Sequence, residues 1–149
     1  MKWLFICTAN VCRSVMAELI AAKLGKEKGL KLEARSRGVL AESYFQTPPE
    51  LWRCLKPLGI EARERRPQLA DRQALHWCDA AFTMTARHRN HILDQYPEFT
   101  KKVFVLRERA ELPPPFDVED PIGKPDAVYD ACRDRIKEAL EALLSHEHA

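Results

Sequence analysis

The chain has 149 residues, 46% of them hydrophobic and 31% charged, with 24 Lys and Arg against 22 Asp and Glu and a formal net charge of +2. That length predicts one domain, residues 1–149, with apolar content enough for a core. The near-neutral balance argues against a nucleic-acid partner, and no apolar run approaches the ~18 residues that span a membrane.

Residues 2–7 read as a buried strand, a short continuous apolar run bounded by a polar turn. The run before that turn is too short for a signal peptide and has no small-residue cleavage site, which predicts a cytoplasmic protein. The turn reads Cys7-Thr8-Ala9-Asn10-Val11-Cys12-Arg13-Ser14. From near Ser14, Met16, Leu19, Ile20 and Leu24 lay one stripe along a helix that ends near Gly25 or Gly29. Residues 30–36 alternate as a short strand closed by Gly38. A loop through Ser43, Tyr44, Phe45 and Gln46 leads to Pro48-Pro49, which suit the start of a helix over 50–58.

Residues 71–78 predict a short helix, 80–84 a strand, 87–95 a helix stopping before Pro97, and 103–106 a strand. Residues 112–125 contain five prolines and must be irregular. Residues 126–145 predict a helix with Val128, Cys132, Ile136, Leu140 and Leu143 on one face. Strands alternating with helices predict an α/β domain whose parallel sheet is covered on both faces. Ligands of such sheets sit at the carboxyl ends of strands. The turn 7–14 lies at one such end, and the loop after Leu106, leading to Asp117 and Asp120, lies at another.

Successive backbone N–H groups turning into a helix form an anion nest, to which the helix N-terminus adds partial positive charge. Arg13 can grip two phosphate oxygens with its planar fork. The same field favours a thiolate at Cys7, a nucleophile that would form a thiophosphate with phosphorus. Ser14 can donate a hydrogen bond to that thiolate, and Asn10 can brace the loop in a left-handed conformation. The alternative, a buried strand-end thiol beside an exposed helix-end arginine, does not account for the serine that follows the arginine or for the strand and helix that flank the turn. For a general acid the residues alone leave Asp117, Glu119 and Asp120 equal.

Cys12, five residues from Cys7 in the same loop, suggests a reversible disulfide with Cys7 under peroxide; a small packing residue is the alternative. The five cysteines show no C-x2-C pairing, and His76, His88, His91, His146 and His148 lack partners at ligand spacing. Neither a metal nor a cofactor is expected, the thiols are expected free, and the histidines are expected at the surface. Arg35, Arg37, Arg63, Arg65 and Arg66 could form a basic rim that attracts an anionic substrate, but most of them read as solvated surface.

The run from Phe5 to Glu18 resembles the signature loop of the low-molecular-weight protein tyrosine phosphatases, usually V-C-x-G-N-x-C-R-S-P-M-A-E. Asp120-Pro121 resembles the family's late Asp-Pro, with Tyr129 and a C-terminal helix after it, and Ser36-Arg37-Gly38 stands where Ser-Ala-Gly is common. The resemblance covers essentially the whole chain. It implies a flavodoxin-like three-layer sandwich around a four-stranded parallel sheet of order 2-1-3-4, no metal, and a two-step phosphatase reaction. By position, Cys7 resembles the nucleophile, Arg13 the phosphate clamp, and Asp120 the general acid and then base. Thr8, Ala9, Asn10, Val11, Cys12 and Ser14 would form the phosphate-binding loop, with Ser36 in support. Asp120 would start protonated, favoured by a partly buried loop beside Pro121 and by a bound dianion.

The chain departs from the pattern at Ala9 (usually Gly), at Val15 (usually Pro), and at 63–69, where many relatives carry a His and then Ala-Arg-Gln. Support for the loop is therefore expected through Glu64 or Arg66. A related branch, the protein arginine phosphatases, resembles the chain at Met84-Thr85, at 103–106 and at 120–123, but carries Thr where Val11 stands. Val11 cannot hydrogen-bond a guanidinium and suits an aromatic ring, with Tyr44, Phe45 and Ile122 as further walls. Arsenate reductases of the same fold need two further closely spaced reactive cysteines. Here Cys78 is isolated, and Cys54 and Cys132 read as helix-face packing. A phosphate-binding module without turnover is the non-enzymatic alternative. The expectation is a monomeric phosphotyrosine protein phosphatase that takes a phosphorylated protein and releases inorganic phosphate.

Overall fold

Four strands, β1 (Lys2–Cys7), β2 (Glu33–Gly38), β3 (Ala80–Thr83) and β4 (Val103–Val105), form one parallel sheet in the order β2-β1-β3-β4 in the computed structural model. The structure describes residues 1–148. Among the described residues six α-helices connect and cover the sheet: α1 (Arg13–Glu27), α2 (Pro49–Leu55), α3 (Arg72–Trp77), α4 (Ala86–Gln95), α5 (Leu106–Arg109) and α6 (Asp126–His148). None of them is long and apolar enough to cross a membrane among the described residues.

The unbroken apolar run of β1 reflects burial on both faces. Successive side chains of a strand point to opposite sides. Trp3 and Phe5 join the core with Met16, Ile20, Leu51, Ile136 and Leu140, against α1, α2 and α6. Leu4 and Ile6 join the opposite core with Leu75, Ile92 and Val103, against α3 and α4. The three layers and the strand order agree with the sequence expectation.

Element ends differ in places. β2 begins at Glu33, three residues later than the alternation predicts, after a left-handed turn at Gly29 (φ 68°). α4 begins at Ala86, where two side chains cap it: Asp117 Oδ1 accepts from Ala86 N (2.9 Å) and Thr85 Oγ1 from His88 N (3.1 Å). The chain leaves β4 at Val105, and Leu106 already opens α5, a helix the apolar run conceals. On α6 the buried positions are Tyr129, Cys132, Ile136, Ala139, Leu140 and Leu144, while Val128 and Leu143 are only partly buried. The buried stripe continues in fours from Cys132 through Ile136 and Leu140 to Leu144, where the expected stripe steps by three to Leu143.

Gly38 ends β2 directly opposite Cys7, the last residue of β1. A Cβ there would lie 2.6 Å from Thr8 O and 2.8 Å from Asn10 N. Only glycine lets the turn after β1 settle against its neighbouring strand. Leu69 bridges to Gly38 on its other side, bringing the irregular segment 60–68 against the same turn.

Candidate active site

The turn 8–12 carries the chain from the carboxyl end of β1 into α1. Asn10 adopts φ 57°, which Asn tolerates better than most residues. Cys12, the residue before α1, makes no side-chain cap to the helix. The first N–H groups of α1 and the amides of the turn are therefore available to an anion.

Hydrogen-bond directions behind the turn are fixed one after another. Gln68 N–H donates to Asn10 Oδ1 (3.0 Å), which orients the amide. Asn10 Nδ2 then donates to Ser14 Oγ (2.8 Å) and to Ser36 Oγ (3.0 Å). Ser36 Oγ donates onward to Glu18 Oε1 (2.7 Å). Asn10 thus occupies one acceptor site of Ser14 Oγ, which lies 3.0 Å from Cys7 Sγ; toward a thiolate, which can only accept, the Ser14 hydroxyl is the donor. Ser14, Asn10 and Ser36 are all buried.

Cys7 is 3% exposed and stands on the floor of a cleft of about 370 Å³ lined also by Thr8, Ala9, Val11, Cys12, Arg13, Phe45, Gln46, Pro48, Asp120 and Ile122. Arg13 is held by Val118 O (Nη1, 2.9 Å) and Thr8 Oγ1 (Nη2, 3.3 Å), and its Nη2 lies 3.7 Å from Asp120 Oδ2. Of the three acids the residues left equal, Asp120 reaches this cleft. Asp117 caps α4, and Glu119 pairs with Lys124. The loop that carries Asp120 is partly buried, with Val118 and Pro121 inside, while the Asp120 side chain itself is 51% exposed. Its other oxygen accepts from Ile122 N at 3.1 Å, a local turn that holds the carboxylate at the cleft mouth.

Four expectations need correction. Tyr44 does not line the cleft. It is 75% exposed, stacks edge-on against Phe45 at 4.9 Å, and faces a neighbouring groove with Trp52, Arg63 and Arg66. Support for the turn comes through Arg65, which reaches Glu18 and Ser36, while Glu64 and Arg66 are exposed. Arg65 is therefore not part of a solvated face. His88 is buried rather than at the surface, with Nε2 2.9 Å from Thr8 Oγ1. His146 and His148 lie outside the residues whose side chains are described.

All five cysteines are free and buried. Burial pushes the Cys54 thiol up to about 11 and the Cys132 thiol up to about 12, and raises Cys78 as well, so these are protonated packing residues. Burial also raises Cys12 far above the ordinary thiol range.

Residues 2–148 match the family model for low molecular weight phosphotyrosine protein phosphatase. The protein-arginine-phosphatase of Geobacillus stearothermophilus is 34% identical over 140 residues, 94% of this chain and 91% of its own length. A low molecular weight protein tyrosine phosphatase from T. tengcongensis has the same fold at a TM-score of 0.92 and 34% identity, over 98% of this chain and 99% of that one. A YwlE arginine phosphatase mutant with a phosphorylated active-site serine matches at a TM-score of 0.90 and 29% identity, over 98% and 95%.

Proposed function

The chain belongs to the low molecular weight phosphotyrosine protein phosphatase family, and from that premise we propose that it hydrolyses phosphotyrosine in proteins through a cysteinyl-phosphate at Cys7. The observation that carries the reading is the Ser14 hydroxyl, held by a bond from Asn10 that Gln68 orients in turn, 3.0 Å from Cys7 Sγ, where it donates to the sulfur once that is a thiolate. The Ser14 hydroxyl, the N-terminus of α1 and Arg13 together offer the attacking sulfur a hydrogen bond and a positive field.

In the first step Cys7 Sγ attacks phosphorus. The S–P bond forms as the ester P–O bond breaks, and Asp120 gives its proton to the leaving oxygen. Arg13 and the amides of 8–13 hold the equatorial oxygens, with Thr8, Ala9, Asn10, Val11, Cys12 and Ser14 shaping the cradle and Ser36 bracing it. In the second step Asp120 takes a proton from water, the water oxygen bonds phosphorus, and the S–P bond breaks to release inorganic phosphate and the thiolate. Val11, Phe45 and Ile122 form apolar walls suited to a tyrosyl ring. Residues 1–149 are read as one domain acting as a monomer, and five free thiols suit the cytoplasm.

A second reading, phosphoarginine, is supported by the 34% identity to the Geobacillus stearothermophilus enzyme and by a carboxylate at the cleft mouth that could face a guanidinium. One experiment tests both: catalytic efficiency on matched phosphotyrosine and phosphoarginine peptides, for the parent, Val11→Thr and Cys7→Ser. The parent should prefer phosphotyrosine, and Val11→Thr should narrow that preference. Cys7→Ser should lose turnover yet still bind vanadate. A parent that prefers phosphoarginine overturns the substrate assignment, and turnover by Cys7→Ser overturns the mechanism.

A further inference from the structure

Thr8 Oγ1 stands where three parts of the molecule meet. It sits in the turn after β1 and lines the cleft. Arg13 Nη2 donates to it at 3.3 Å, and His88 Nε2 lies 2.9 Å away, from a residue 80 positions further along the chain. His88 belongs to the first turn of α4. Beside it Asp117 caps Ala86 N, and Met84 O accepts from Val118 N (2.9 Å), whose carbonyl in turn holds Arg13. The junction 84–88 thus fastens both the phosphate loop and the acid-bearing loop.

His88 is 5% exposed, and its Nδ1 has no hydrogen-bond partner among the described residues. Burial, and then the Arg13 charge, push it down to about 4, with Asp117 and Asp120 opposing and His91 adding to the shift. The ring is therefore neutral near pH 7 and carries one N–H. A proton on Nδ1 would be a buried donor without an acceptor, and it would draw the Thr8 proton to Nε2 and away from the cleft. A proton on Nε2 has Thr8 Oγ1 as its acceptor. A hydroxyl oxygen accepts at two sites. With Arg13 at one and His88 at the other, the Thr8 proton has to find its acceptor elsewhere, and a bound phosphoryl group supplies one. With an anion in the cleft, this is the arrangement in which each of the three protons is satisfied.

The geometry points to His88 as a positioning residue of the phosphoryl transfer: its Nε2–H and Arg13 together occupy Thr8 Oγ1, turning the Thr8 hydroxyl into a donor aimed at the phosphoryl group. The inference rests on the phosphatase reading of the same cleft. It assigns to His88 no contact with substrate; the ring acts through Thr8.

The test is a double-mutant cycle on p-nitrophenyl phosphate turnover and vanadate affinity, with His88→Leu, Thr8→Val, the double variant, and the conservative His88→Gln and Thr8→Ser. Loss of one hydrogen bond to a charged group predicts about a 10-fold fall in kcat/KM, and a parallel weakening of vanadate, for His88→Leu and for Thr8→Val. The double variant should be no worse than Thr8→Val alone. Gln keeps an N–H at similar reach and Ser keeps the hydroxyl, so both should restore most of the activity. Losses that multiply in the double variant, or parental activity in folded His88→Leu, overturn the inference. If His88→Leu does not fold, parental kcat/KM and vanadate affinity in Thr8→Val overturn it equally. A parent that fails to turn over p-nitrophenyl phosphate would instead sink the phosphatase reading.

Discussion

Arg65 grips both carboxylate oxygens of Glu18, at 2.7 and 3.0 Å, from a segment that has no helix or strand of its own. The same Nη2 lies 3.2 Å from Ser36 Oγ, whose partner Asn10 also bonds Ser14. A fork on the protein's flank is thus joined through four side chains to the sulfur on the cleft floor. The pair is mostly buried, with side-chain exposures of 20% and 16%, so its geometry is held and its charges are weakly screened.

Arg65→Ala should therefore lower kcat more than it raises KM, because it loosens the nucleophile's hydrogen-bond partner without touching substrate. It should also cost about 2 kcal/mol of stability, the scale of charge-assisted bonds lost with a partner left behind. Arg65→Lys should recover part of the stability and less of kcat, since an ammonium cannot serve two carboxylate oxygens in one plane. Urea unfolding beside steady-state kinetics on the three proteins reads both effects.

Why the sequence points to Glu64 or Arg66 and the fold uses Arg65 is a matter of parity. In an extended segment, neighbouring side chains face opposite ways, and nothing local says which parity meets the turn. Tyr44 and Phe45 divide in the same manner, one outward and one into the cleft wall. What was legible depended on short range: the turn 7–14 with its flanking strand and helix, and the buried run of β1 that demands cover on two faces. The Thr8–His88 contact joins positions 80 apart and leaves no local pattern. Asp120 could be told from Asp117 and Glu119 by resemblance alone, because all three share one loop and their partners, Ala86, Lys124 and Arg13, are set by tertiary packing.

Asp120→Ala should slow the first chemical step by roughly 10²- to 10⁴-fold for substrates whose leaving oxygen needs a proton. The loss should shrink as the leaving phenol becomes more acidic, because a stable phenolate departs unaided. Pre-steady-state rates across a series of substituted aryl phosphates measure the slope directly. A uniform loss across the series would mean that Asp120 positions substrate and donates no proton. Asp117→Asn, at a residue spent on capping α4, should leave the slope as it is in the parent.

Cys12 lies in the same turn as Cys7, is 3% exposed, and is kept protonated by burial. Mild peroxide should therefore oxidise Cys7 first, to the sulfenic acid. Cys12 Sγ would then attack that sulfur. The S–S bond forms, the S–O bond breaks, and hydroxide leaves with the Cys12 proton as water. Peptide mapping should find a Cys7–Cys12 crosslink that thiols reverse, with activity returning in step. Cys12→Ser should instead pass on to the irreversible sulfinic acid at Cys7. Absence of the crosslink in an inactivated parent would leave Cys12 a packing residue.

His88 also makes stability depend on pH, with a sign that burial dictates. An unfolded chain protonates this imidazole as pH falls through about 6.5, whereas the native protein holds it neutral until about 4. Between those values the unfolded state binds more protons, so its contribution to stability declines as the solution is acidified. From pH 7 to pH 5 the decline amounts to about 2 kcal/mol. Carboxylates titrate over part of the same range, so the informative quantity is the difference between the parent and His88→Gln, which shares them all. Urea unfolding at pH 7, 6 and 5 should show the parent losing ground to the variant by about that amount. A histidine at the surface, as the spacing of His88 and His91 suggests when read alone, would leave the difference constant.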